Sequence, residues 1–144
     1  MIYSYLHKVQ YYETDRMGVV HHSNYFRWME EARVAWLAEL GFGYDALEEQ
    51  GISSPVIQIT CSYHRPFSFG STVCLQVSLA EYNGVRARIH YQMLDVQSSE
   101  PYAEGESLHC FLGNSGRPVN LRRALPAFDA ILHPLVAPPE PSQK

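Results

Sequence analysis

The spacing of apolar residues changes along the chain, and each change predicts an element. Residues 4–14 alternate loosely and are rich in tyrosine, which is typical of a half-buried strand ending at Asp15. From Asn24 the apolar side chains recur at helical spacing: Tyr25, Trp28, Met29, Ala32, Trp36 and Leu40. Ser23 or Asn24 is a suitable N-cap and Gly41 a suitable stop. The pattern therefore predicts one long helix with a wide aromatic face.

Apolar and polar residues alternate with a period of two through most of the second half of the chain. The predicted strands are VIQITCSYHR, the segment from Val73 to Leu79, the segment from Val85 to Met93, and roughly residues 102–112. Asn83-Gly84 between two of them is a strong hairpin signal. Short helices are predicted over YDALEEQ and after Leu125. The order of strand, long helix and a four-stranded meander predicts an α+β domain in which an antiparallel sheet wraps or covers one helix.

Composition and charge exclude several classes of protein. A chain of 144 residues with 46% hydrophobic and 18% charged residues is expected to fold as one globular domain. Its net charge of −4 argues against nucleic-acid binding, which needs a basic surface stripe. No segment has the length of a membrane span, and MIYSYLHKVQYY lacks the features of a signal peptide. The three cysteines, Cys61, Cys74 and Cys110, sit in strand-like runs, so we expect a reduced, cytoplasmic protein.

The segment ETDRMGVVHHSNYFRWMEEAR combines a carboxylate with the start of the long helix. The first N–H groups of a helix are unpaired and carry partial positive charge, so they stabilise a carbonyl or anion placed there. Asp15 reaches this position if the loop turns back at Gly18, which permits a sharp bend. A carboxylate beside such a carbonyl site is the minimum equipment for hydrolysing a thioester, whose thiol is a good leaving group. The alternative is that Asp15 only stabilises a turn.

The same segment resembles the signature of the 4-hydroxybenzoyl-CoA thioesterase family, most closely its bacterial Tol-Pal-associated acyl-CoA thioesterase branch. The matching residues are Tyr12, Glu13, Thr14, Asp15, Gly18, Val19, Val20, His22, Tyr25, Glu30, Ala32 and Arg33. The resemblance implies a hotdog fold, an antiparallel sheet wrapped around one long central helix. We expect this domain over residues 1–135 and a disordered tail over residues 136–144.

The resemblance also implies roles for individual residues. Asp15 matches the catalytic carboxylate of the family, acting as general base or as nucleophile. His22 matches the histidine at the N-terminal end of the long helix, called the helix mouth below. There its backbone amide or ring polarises the thioester carbonyl. Tyr25 matches an aromatic residue of the acyl site, and Gly18 and Val20 match the bend that places it.

Other matching positions concern structure and assembly. Glu30 and Arg33 match helix positions that hold structure or a subunit interface, and family members pair as homodimers or homotetramers. Two positions depart from close relatives. His21 replaces a common tyrosine or phenylalanine, which leaves the polarity of the acyl pocket open, and Glu13 replaces a common aspartate.

The predicted function is hydrolysis of a fatty or aromatic acyl-CoA to free acid and CoA, with no cofactor. Acyl carrier protein thioesters are an alternative substrate. A hotdog hydratase is disfavoured because its D-x-N-P-x-H pattern is missing between Asp15 and His22, and a non-catalytic acyl-CoA-binding protein remains a third hypothesis. His21 and His22 lack the partner spacing of a zinc site. The absence of G-x-S-x-G argues against a serine hydrolase.

Basic residues are needed to hold the phosphates of CoA on an acidic protein. The candidates are His64, Arg65, Arg86, Arg88, Arg117, Arg122 and Arg123. Arginines on the wet face of a strand more often serve solubility, so the sequence singles out none of them.

Overall fold

The computed structural model describes residues 2–136 and has an α+β architecture built on a five-stranded antiparallel sheet. The strands are β1 (Tyr3–Lys8), β2 (Val56–Tyr63), β3 (Thr72–Tyr82), β4 (Arg86–Asp95) and β5 (Pro101–Cys110). The helices are α1 (Ser23–Glu39), α2 (Tyr44–Glu49), α3 (Leu121–Ala124) and α4 (Pro126–Leu132), with short 3₁₀ turns over Tyr11–Glu13 and His133–Leu135. The strand order across the sheet is β1-β3-β4-β5-β2.

The sheet order differs from the predicted four-stranded meander. β3, β4 and β5 do follow one another as hairpins, and the predicted turn at Asn83-Gly84 joins β3 to β4. The Asn83 side-chain oxygen accepts hydrogen bonds from the backbone N–H groups of Val85 and Arg86, and Gly84 has a φ of +90°. β2, however, pairs with β5 rather than with β3. Partner choice between distant strands depends on tertiary packing, which local alternation does not encode.

The first predicted strand is correct only as far as Lys8. The chain then leaves the sheet and forms a 3₁₀ turn over Tyr11–Glu13, where the Gln10 N–H donates to Glu13 Oε1 at 2.8 Å. Asp15 therefore follows a turn, not the end of a strand. The change matters because the turn carries Asp15 towards the start of α1.

The core lies between α1 and one face of the sheet. Trp28, Met29 and Ala32 of α1 are completely buried against strand residues such as Leu75 and Tyr91. Close approach of the helix depends on Gly105 in β5. A Cβ atom there would lie 2.8 Å from the Met29 methyl carbon and 2.7 Å from the Thr60 carbonyl oxygen. Both distances are far inside van der Waals contact, so only glycine fits.

Three buried polar side chains are linked by hydrogen bonds within the same core. The Tyr91 hydroxyl lies 2.8 Å from Ser107 Oγ, and Ser107 Oγ lies 2.7 Å from Nε2 of His109. The other ring nitrogen of His109 has no hydrogen-bond partner within the described residues. His109 also lines a small cavity of about 20 Å³, together with Arg33 and apolar side chains. Burial, followed by the nearby Arg33 guanidinium, lowers the pKa of His109 to about 4.

Two further predictions concern the chain as a whole. Of the predicted tail over residues 136–144, only Val136 is described, and it forms a bridge with Leu79. Residues 137–144 lie outside the described part, so the boundary between domain and tail stays a prediction. Among residues 2–136, no helix combines the length and the apolar character needed to cross a membrane.

Candidate active site

Asp15 lies in a tight turn that folds back on itself. The Asp15 N–H donates to the Val19 carbonyl at 2.8 Å, and the Gly18 N–H donates to the Asp15 carbonyl at 3.1 Å. Gly18 has a φ of +79°, a conformation that favours glycine, so it forms the bend expected from the sequence. The exposed Asp15 side chain has one hydrogen bond, accepted by Oδ1 from the Met17 N–H at 2.8 Å. Its second oxygen is left for solvent or a ligand.

The predicted N-cap of α1, Ser23 or Asn24, is wrong. His22 takes the N-cap position with helical φ and ψ of −55° and −27°, and its side chain caps nothing. Ser23 instead donates its N–H to Nδ1 of His21 at 3.3 Å, and the buried Asn24 amide donates to the Glu13 carbonyl at 2.9 Å. Within the described residues the His22 N–H makes no hydrogen bond. It is thus available to a ligand oxygen at the positive end of a 17-residue helix.

One surface cavity of about 270 Å³ brings the predicted site residues together. Its lining consists of Asp15, Val20, His21, His22, Tyr25, Tyr63, His64, Arg65 and Pro66. Four of the five predicted residues therefore face the same space, and the fifth, Gly18, shapes the turn beside it. His21 and His22 both line the cavity, and the centroids of their rings are 4.3 Å apart.

Aromatic contacts hold the end of β2 against the helix mouth. The Tyr63 hydroxyl donates to the His22 carbonyl at 3.2 Å, and the Tyr63 ring meets Tyr25 edge-on with centroids 4.8 Å apart. Tyr25 is 2% exposed and accepts a hydrogen bond from the Phe67 N–H at 3.4 Å. These contacts give the cavity one aromatic wall. Tyr63 was not among the predicted site residues, because strand alternation does not reveal which strand end reaches the helix.

The neighbouring side chains leave Asp15 as the candidate reactive group. Burial raises the pKa of the Cys61 thiol to about 11, so this cysteine is protonated at neutral pH and is a poor nucleophile. Burial, followed by the adjacent Cys61, raises the pKa of Tyr63 to about 12, so its hydroxyl is a hydrogen-bond donor. Asp15 is the only carboxylate among the residues that line the cavity.

The remaining predicted residues are Glu30 and Arg33 in α1 and the basic candidates for binding CoA. Arg33 is 9% exposed, forms a double hydrogen bond to Glu30 within α1, at 3.1 and 2.9 Å, and donates to the Ser54 carbonyl at 3.4 Å. Of the basic candidates, His64 and Arg65 line the cavity. Arg65 pairs with Glu100 at 2.5 Å and covers the Tyr102 ring at 4.6 Å.

The other basic candidates do not line the cavity that Asp15 lines. Arg86 and Arg88 border a different surface cavity of about 300 Å³, where Arg88 pairs with Glu81 and Glu106. Arg122 and Arg123 are exposed on α3, and Arg117 is exposed in the segment before it. In the part of the chain from residue 2 to residue 136, no three metal-ligating side chains form a cluster.

Comparison with protein families gives a match over almost the whole chain. Residues 9–141 match the model described as the thioesterase-like superfamily. A Bacillus subtilis protein named "Putative acyl-CoA thioesterase YneP" is 35% identical over 119 residues, which are 83% of this chain and 86% of that protein. The acyl-CoA thioester hydrolase YbgC of Escherichia coli is 29% identical over 77 residues, 54% of this chain and 58% of YbgC.

Comparison with solved structures gives the same fold. The crystal structure of a DHNA-CoA thioesterase from Staphylococcus aureus superposes with a TM-score of 0.87 at 27% identity. The match covers 92% of this chain and 89% of that enzyme.

Proposed function

The chain belongs to the thioesterase-like superfamily and has its hotdog fold, and from this membership we propose that it is an acyl-CoA thioesterase that uses Asp15 and the helix mouth at His22. The observation that supports the proposal is the convergence of an exposed carboxylate and a helix N-terminus on one cavity. Relatives named as acyl-CoA thioesterases support the substrate class.

In the proposed mechanism the thioester carbonyl points at the start of α1. The free His22 N–H and the helix dipole stabilise the negative charge that develops on the carbonyl oxygen. Asp15 either removes a proton from an attacking water or attacks the carbonyl itself, forming an anhydride that water then cleaves. The carbon–sulfur bond breaks and CoA leaves as a thiolate. A thiol pKa of about 8.5 makes a strong general acid unnecessary.

The other cavity residues receive substrate-binding roles in this proposal. Tyr25 and Val20 contact the acyl group, and Gly18 keeps the turn in the shape that aims Asp15. His64 and Arg65 are the basic candidates best placed for the CoA moiety, because they line the same cavity.

We also propose the more specific properties that the resemblance to this family implies. They comprise membership of the 4-hydroxybenzoyl-CoA thioesterase group and its Tol-Pal-associated branch, a bacterial origin and a cytoplasmic location. In this view α1 is the central helix around which the sheet wraps. The bacterial sources of YneP and YbgC support a bacterial origin.

The proposal is tested by thiol release from a panel of substrates. Short aliphatic, long-chain and aryl acyl-CoA thioesters and one acyl carrier protein thioester would each be incubated with the protein, with the Asp15→Asn variant as control. We expect release from at least one acyl-CoA to exceed the variant's rate by a factor of roughly 100 or more.

Three other outcomes, two from this panel and one from an enoyl-CoA added to it, would contradict the proposal. Faster release from the carrier-protein thioester than from every acyl-CoA would favour that alternative substrate. Tight acyl-CoA binding with no thiol release would favour a non-catalytic binding protein. Addition of water to an enoyl-CoA, again without thiol release, would favour a hydratase.

We also propose that the chain assembles as a homodimer or homotetramer through β2. This strand lies at an edge of the sheet, and it exposes Val56, Ile57 and Tyr63 by 40%, 46% and 44%. An exposed, apolar edge strand readily pairs with another chain.

Light scattering would test the assembly. We expect a mass of two or four chains for the wild type and of one chain for Ile57→Lys, because a charge at the edge opposes pairing. Val96→Lys is the matched control, since Val96 is 44% exposed but lies outside the strands. A monomeric wild type, or equal masses for the wild type and Ile57→Lys, would argue against β2 as the interface.

A further inference from the structure

Glu13 is a buried carboxylate in the short segment that leads to Asp15. It is 4% exposed, and both of its carboxylate oxygens are engaged. Oε1 accepts from the Gln10 N–H at 2.8 Å and lies 2.8 Å from Nε2 of His7 in β1. Oε2 accepts from the indole N–H of Trp28 in α1 at 2.7 Å. One side chain therefore ties the segment before Asp15 to a strand and to the long helix.

The main chain of Glu13 makes the matching connection to the helix mouth. Its carbonyl accepts from the His21 N–H and from the Asn24 side-chain amide, both at 2.9 Å. His21 directly precedes His22, and Asn24 lies in the first turn of α1. Asp15 follows two residues after Glu13, so the hydrogen bonds of Glu13 connect the segment that carries Asp15 directly to the helix mouth.

Electrostatics explain why a buried charge is tolerated at this position. Burial by itself would raise the pKa of Glu13, but the hydrogen bonds from the Gln10 amide, His7 and Trp28 outweigh it and lower the pKa. His7 in turn lies 3.2 Å from Glu31, an exposed residue on its other side. A fully satisfied buried carboxylate holds its partners in one geometry, because movement of any of them would break a hydrogen bond to the buried charge.

We propose that Glu13 is a positioning residue that sets the place of Asp15 relative to the N–H groups at the start of α1. This inference rests on the proposed function, in which Asp15 and the helix mouth act on the same thioester. Glu13 does not touch the cavity, and it acts through the turn that carries Asp15. Its loss is therefore expected to weaken the transition-state geometry more than substrate binding.

Amide hydrogen exchange tests the positioning without reference to activity. In Glu13→Gln we expect faster exchange of the Asp15 and His21 N–H groups and unchanged exchange in β3 and β4. Unchanged exchange at Asp15 and His21, or equal acceleration throughout the sheet, would overturn the inference. If the wild-type protein hydrolyses no thioester, the proposed function fails, and exchange still decides the role of Glu13.

Kinetics on the best substrate of the panel test the catalytic consequence. We expect Glu13→Gln to lower kcat roughly 10- to 100-fold with little change in KM. Combined with Asp15→Asn, Glu13→Gln should cause no further loss, because the group that it positions is already gone. A rise in KM alone, or the same fold-loss in both backgrounds, would overturn the inference.

Two variants control for charge and for folding. Glu31→Gln removes the exposed carboxylate on the other side of His7 and is expected to keep wild-type kcat. Trp28→Phe removes one donor to Glu13 but keeps an aromatic ring in the core, so it is expected to lower kcat in the same direction and by less. If Glu13→Gln fails to fold, Trp28→Phe provides the test, and wild-type kcat in that variant would contradict the inference.

Discussion

Asp15→Asn is expected to lower kcat for thioester hydrolysis by roughly 100- to 10,000-fold, the usual contribution of a general base. The fold should survive, because the side chain is exposed and its one hydrogen bond, from the Met17 N–H, can be accepted equally well by an amide oxygen. An amide, however, can neither take a proton from water nor attack a carbonyl. The measurement is thiol release together with the free energy of unfolding.

Asp95→Asn is the matched control for this substitution. Asp95 also accepts a backbone hydrogen bond in a turn, from the Ser98 N–H at 3.1 Å, but it does not line the cavity. The control should keep wild-type kcat. Near-normal hydrolysis by Asp15→Asn would refute the role given to Asp15. A single turnover in ¹⁸O-labelled water separates the two versions of that role, since the label enters the Asp15 side chain only if Asp15 is the nucleophile.

Acid is expected to destabilise the protein through His109, by roughly 3 kcal/mol between about pH 6.5 and pH 4. The folded-state pKa of about 4 lies below the ordinary value of 6.5, so the unfolded chain binds a proton in this range that the folded chain does not. The stabilising contribution of the neutral His109 is fully present above pH 6.5 and is lost as the pH drops towards 4. Below pH 4 both states are protonated, and His109 causes no further loss.

Denaturant unfolding at a series of pH values measures this effect. His109→Gln keeps a side chain that can hydrogen-bond to Ser107 but does not titrate, so its stability should fall less between pH 6.5 and pH 4 than that of the wild type. His133→Gln, at an exposed histidine, should follow the wild-type curve. Parallel curves for wild type and His109→Gln would show that another group controls the acid response.

Local patterns predicted the elements well where a single period extended over many residues. The helical spacing from Tyr25 to Leu40 predicted α1, and the alternating runs predicted β2 to β5. The Asn83-Gly84 hairpin was also correct, because its geometry depends only on adjacent residues. The strand over residues 4–14 was wrong beyond Lys8, since tyrosines suit a strand and an exposed turn equally well.

The candidate site was partly visible in the sequence. Asp15, Val20, His22 and Tyr25 lie close together along the chain, and the resemblance named them before the structure placed them on one cavity. Tyr63 and Pro66 reach that cavity from about 40 residues away, and no local pattern marks a strand end that folds back onto a helix. Glu13 was noted only as part of the matching segment, at a position where relatives often have aspartate, although its spacing from Gln10 fits a capping interaction.

The sequence by itself determined the helix, most strands, the bend at Gly18 and the identity of the candidate reactive carboxylate. Each depends on contacts between residues a few positions apart, or on a motif within one short segment. Only the tertiary structure decided that β2 pairs with β5, that Tyr63 lines the cavity, and that Glu13 and His109 are buried. The physical reason is that partner strands, burial and hydrogen bonds between distant residues are set by packing between elements that lie far apart in the sequence.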